Sequence, residues 1–162
     1  MPEIQSPIDA NVRSQSYFVA RASTRCWHCK SLTRVLALAL PRGHETLDPD
    51  AAEAWHYANV NALIFFVERL TEDVRSRLDG LSQYYRVSRR SATQSAYWAN
   101  HCEHCGEVLG DHELHCELDG AFMPSSETAA SNIQLLRIQE PFEASAAGYS
   151  FEPEFFEFVP RS

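Results

Sequence analysis

Apolar residues fall mostly into short runs broken by polar turns. Tyr17 to Ala22 and Val35 to Leu40 are short, apolar and rich in aromatic, β-branched or aliphatic side chains, and Pro41 stops the second, so both predict strands. Between them lies Cys26-Trp27-His28-Cys29, where a hairpin tip would fall. From Pro41 to Asp50 two prolines, one glycine and two aspartates mark a loop. One longer stretch reads differently. Leu63, Val67, Leu70, Val74 and Leu78 recur at steps of four, three, four and four, with Phe66 beside them and most charges off the stripe, which predicts an amphipathic helix from Asn61 to Asp79, ended by Gly80. Tyr84 to Ser88 and Ser95 to Ala99 predict two further strands around a polar turn, and the second leads into Cys102-Glu103-His104-Cys105-Gly106. Ile133 to Ile138 predicts another strand, suited to a sheet edge.

These elements suggest three regions. Residues 1–15 carry Pro2, Pro7 and polar groups without a period, and read as a flexible arm. Residues 16–139 form the ordered α+β domain. Residues 140–162 make an acidic aromatic segment, with four Phe and three Glu between Phe151 and Val159. At 162 residues and 44% hydrophobic composition a single core is expected. The longest apolar runs span six residues, against the roughly 20 of a membrane helix. The first seven residues have neither a basic nor an apolar signal region, so a cytoplasmic setting is expected.

Charge is unevenly placed. The net −8 combines 12 basic and 10 acidic residues up to Cys102 with 2 basic and 12 acidic residues from Glu103 onward. Such a C-terminal half repels phosphate and attracts a basic protein, although a solubilising surface has the same composition. Arg86, Arg89 and Arg90 are the one local basic cluster, and the net field opposes their use on nucleic acid.

Chemistry concentrates in the cysteines. Four of the five, Cys26, Cys29, Cys102 and Cys105, form two CxxC pairs, while Cys116 stands apart as a free thiol. Two such turns supply the tetrahedral four-sulfur set that Zn²⁺ takes in a closed structural site. Gly106 suits the tight turn after Cys105, whereas Lys30 fills the matching place after Cys29. Iron in a rubredoxin-like site uses the same geometry. A redox dithiol would leave the second pair unexplained, and structural disulfides would require an oxidising compartment. His101, His104, His112 and His115 invite a mixed ligand set. However, His112-Glu113-Leu114-His115 is one residue short of HExxH, and His101-Cys102-Glu103 lacks the later cysteine pair of a deaminase. Four cysteines leave no open coordination position, so no enzymatic activity is expected.

Taken together, Tyr17 to Arg21 running into Cys26-Trp27-His28-Cys29, then Tyr97-Trp98-Ala99-Asn100-His101-Cys102-Glu103-His104-Cys105-Gly106 with Gly110-Asp111 following, resembles a group of bacterial zinc-ribbon-like proteins. The similarity covers about residues 16–124. It implies a double-knuckle metal site and no particular activity. The expected architecture is therefore α+β: a small antiparallel zinc-ribbon-like sheet whose two knuckles clamp one structural Zn²⁺, with the helix inserted between them. The expected function is a protein-binding module for a basic partner, an immunity protein or antitoxin being one concrete form; a nucleic-acid-binding regulator is the alternative.

Overall fold

The computed structural model describes residues 9–47, 54–88, 96–117 and 120–151. Their order is β1 (Val12–Ser14), β2 (Tyr17–Arg25), β3 (Leu32–Leu40), β4 (Glu45–Leu47), β5 (Trp55–Tyr57), β6 (Ala62–Leu70), α1 (Glu72–Leu81), β7 (Tyr85–Ser88), β8 (Tyr97–His101), β9 (Val108–Leu109), a π-turn (His112–Cys116), α2 (Glu127–Ala130), β10 (Gln134–Ile138) and β11 (Phe142–Phe151). Among the described residues the strands form one sheet of 11, ordered β10-β2-β3-β6-β11-β1-β4-β5, with β7, β8 and β9 branching from β6. Every pairing is antiparallel. The small α+β zinc ribbon expected from the sequence is thus replaced by a large, mostly β fold, with the two knuckles mounted on it.

The main correction lies between Asn61 and Asp79. Ala62-Leu63-Ile64-Phe65-Phe66-Val67 is an unbroken apolar run, and a strand covered on both faces requires that pattern. It lies between β3 and β11, with Leu63 in the core on one face of the sheet and Ile64 and Val67 in the core on the other. Only the polar part of the stripe is helical. Thr71 precedes α1 in an extended conformation, Glu72 and Asp73 fill its first turn, and Val74 and Leu78 are buried.

Both faces of β2 and β3 are covered, so their alternate residues enter two cores. Tyr17, Val19, Leu36, Leu38 and Leu40 join Val74 and Leu78 of α1 on one side. Phe18, Ala20, Val35, Ala37 and Ala39 pack on the other against Leu109, Leu114, Phe122 and Ile133, which belong to the less regular chain after β8. This second core also contains Cys26 and Cys102. As the sequence predicts, β2 and β3 form a hairpin, and β10 occupies the sheet edge. Residues 12–14 and 142–151, read from the sequence as parts of an arm and of a terminal segment, are strands; β11 runs between β6 and β1, and Phe142 is buried. Phe155, Phe156, Phe158, Arg89 and Arg90 lie outside the described residues.

Two irregularities shape the middle of the sheet. Phe66 has φ +49°, unusual for an aromatic residue, and its N–H donates to Asp111 Oδ2 at 2.8 Å. The β6–β11 register shifts between Ser145 and Ala146, and there the Asn11 carboxamide bonds both backbone groups of Ala146, at 2.8 and 3.0 Å. Gly148 permits the close approach of β11 to β6, because a Cβ at this position would lie 2.3 Å from the Phe65 ring.

Candidate metal centre

Each CxxC turn caps a hairpin, the first joining β2 to β3 and the second joining β8 to β9. The two turns repeat one hydrogen-bond scheme. Cys26 N–H donates to Ser31 O and Lys30 N–H to Cys26 O, at 2.9 and 3.0 Å; Cys102 N–H donates to Glu107 O and Gly106 N–H to Cys102 O, at 2.9 and 3.0 Å. His28 N–H faces Cys26 Sγ and His104 N–H faces Cys102 Sγ, both at 3.4 Å. The residue after each second cysteine is left-handed, Lys30 at φ +66° and Gly106 at φ +80°. Lys30 therefore adopts the conformation that glycine accepts without a Cβ penalty.

The four sulfurs lie within 4.8 Å of one another, and this is the one group of three or more His, Cys, Asp or Glu side chains among the described residues that could hold a metal ion. Cys26 Sγ is 3.6 Å from Cys105 Sγ, and Cys29 Sγ is 3.6 Å from Cys102 Sγ. For comparison, a tetrahedron with metal–sulfur bonds of about 2.3 Å separates its sulfurs by about 3.8 Å. The close pairs run between the knuckles, so an ion here would join the two hairpins. Burial opposes charge on Cys102, but N–H groups of Cys105 and His104 and the neighbouring thiols of Cys29 and Cys26 hold its pKa down at about 6. Cys105 is pushed up to about 12: the N–H of Glu107 favours its thiolate, but burial and the adjacent sulfurs outweigh it.

Further contacts align the hairpins. Asn100 accepts from Leu36 N–H at 2.8 Å and donates to Leu36 O at 2.9 Å, so its buried carboxamide bridges β8 and β3. Glu103 N–H donates to Thr33 Oγ1 at 3.0 Å, His104 Nε2 donates to Leu32 O at 3.0 Å, and Trp27 Nε1 donates to Val108 O at 2.8 Å. Arg34 and Glu103 form an ion pair at 2.6 Å.

No histidine enters the sulfur cluster. His101 is buried and directs Nδ1 at Ala99 O, 3.0 Å away, while His112 is exposed. His115 is buried between the Phe65 and Phe122 rings, at centroid distances of 4.8 and 5.1 Å, with no hydrogen-bond partner for Nδ1. Burial lowers its pKa to about 3. Cys116 is exposed and outside the cluster, and partial burial with nearby Asp111 and Glu113 raises its pKa. The sequence reading missed the bridging role of Asn100 and a buried imidazole remote from the metal centre, His44. His44 Nδ1 donates to Pro41 O at 2.7 Å and Nε2 accepts from Tyr149. For Asn100 the available signal was a polar residue at the end of the apolar Tyr97-Trp98-Ala99 run, whereas His44 lies in a polar loop; the partners Leu36 and Tyr149 are distant in the chain.

No helix among the described residues is long and apolar enough to cross a membrane. Comparison with protein-family models, curated proteins and solved structures gives no match.

Proposed function

We propose that the chain is a non-enzymatic binding module for a basic protein partner, stabilised by one Zn²⁺ on Cys26, Cys29, Cys102 and Cys105. The observation that carries the metal assignment is the cross-knuckle spacing of 3.6 Å in both sulfur pairs. Four thiolates complete a tetrahedral shell and leave no position for water or substrate, which supports a structural ion. It closes a loop of 72 residues, Lys30 to His101, and links hairpins far apart in sequence. The basic-partner assignment rests on the charge imbalance: 12 acidic against 2 basic residues follow Cys102. Neutralisation of a basic toxin is one form this activity would take.

Elemental analysis of protein purified without added metal tests the assignment. Close to one zinc per chain is the expected result; near-zero zinc, or iron in its place, overturns it.

A further inference from the structure

Beside the metal centre lies a cleft of about 530 Å³, walled by Trp27 from the first knuckle and by Val108, Leu109, Leu114 and Ala121 from the chain beyond the second, with Glu113 also lining it. Trp27 is 57% exposed but held in place. Its indole N–H is bound to Val108 O and its carbonyl receives Lys30 Nζ at 2.7 Å. A large aromatic surface fixed before binding loses little further side-chain entropy when covered, and tryptophan is enriched among the residues that dominate interface energy.

The charge around the cleft is also informative. Glu107, Glu113 and Glu117 are exposed, and none forms an ion pair among the described residues. Glu107 precedes Val108, and Gly120 on the cleft wall donates its N–H to Glu117 O. Arg25 also lines the cleft, but its guanidinium is directed at the Lys30 carbonyl, and the neighbouring Lys30 ammonium is directed at the Trp27 carbonyl. One zinc on four thiolates would add a further net negative charge.

We propose that this cleft is the docking site for a basic segment of the partner. An apolar side chain of that segment packs against Trp27, and flanking Lys or Arg residues meet Glu107, Glu113 and Glu117. This inference rests on the basic-partner reading and places its contact surface at the knuckle end of the molecule.

The probe is a fluorescein-labelled twelve-residue peptide alternating Arg or Lys with Leu or Phe, beside a counterpart with Glu in place of the basic residues. Anisotropy is read on the zinc-loaded full chain, and zinc content is measured for every variant. The basic peptide should bind and the acidic one should not. Trp27→Ala should weaken binding by about tenfold or more. Glu113→Lys combined with Glu117→Lys should also weaken it and reduce its salt dependence, while Tyr57→Ala on β5 should change nothing. If Trp27→Ala loses zinc, the Glu113 and Glu117 pair decides the outcome. Equal binding by wild type and these cleft variants would refute the docking site while leaving the basic-partner reading intact. Failure of the wild type to bind the basic peptide would remove both.

Discussion

The two knuckles share a backbone plan but differ in what supports it. The second uses Gly106 at its left-handed position, with no atom within 4 Å of where a Cβ would be. The first places Lys30 there, at a backbone cost of about 1–2 kcal/mol for an L-residue. Nearby bonds offset part of that cost: Lys30 Nζ reaches Trp27 O, and Arg25 donates to Lys30 O at 2.9 Å. The same turn can therefore be specified locally, by a residue without a side chain, or by side chains that hold an unfavourable conformation.

The largest expected effect comes from breaking what the knuckles share. Structural zinc in small modules contributes about 10–16 kcal/mol of apparent binding energy, so chelation or Cys102→Ser should release the metal and strongly destabilise the fold. Hydrogen exchange should then rise in both hairpins, β2–β3 and β8–β9. Protection retained in the first hairpin after loss of Cys102 would mean that the knuckles fold independently.

Next in size is the metal-independent bridge. Asn100→Ala leaves the buried N–H and C=O of Leu36 without their partners, for a loss of about 2–4 kcal/mol. Urea unfolding measures it, with zinc content retained.

Acid should distinguish the surroundings of the second knuckle. Burial holds His115 at about 3, below its unfolded value, so its contribution is complete above about pH 6.5 and is lost as pH falls toward 3. By pH 4 the loss is on the order of 3 kcal/mol. Comparing wild type with His115→Phe across pH isolates this effect from titration of the thiols, and parallel stability profiles would contradict it.

The smallest changes test the turns directly. Gly106→Ala should destabilise by about 1 kcal/mol through φ alone, whereas Lys30→Gly should change stability by less than about 1 kcal/mol, toward greater stability. Thermal melts of the zinc-loaded variants would show the asymmetry; equal losses at both positions would remove it.

How much of this was legible depended on how local the cause was. The β2–β3 hairpin and its cysteine tip follow from two apolar runs around a CxxC, and the sulfur cluster needs only two such turns to meet. The region after Asn61 misled because Leu63, Val67 and Leu70 fit a helical stripe while also belonging to a continuous apolar run, and burial on both faces decided for a strand. The small residues of β11, Ala144, Ser145, Ala146 and Gly148, gave little hydrophobic signal. At Gly148 smallness matters because the Phe65 ring of β6, more than 70 residues away, occupies the space of a side chain. Asn100 and His115 were similarly opaque: their residue types were visible, but the groups they face, Leu36 for the first and Phe65 and Phe122 for the second, belong to other parts of the fold.

Gly148 has a consequence beyond its own strand. Phe65 rests where a side chain at 148 would project, His115 stacks on Phe65, and Phe122 stacks on His115. The three rings form a column that begins at an interior strand and reaches the core under the second knuckle. The missing methyl at 148 is the spacer that seats the first ring of the column, so even a small side chain there would have to displace Phe65, the ring on which His115 stacks.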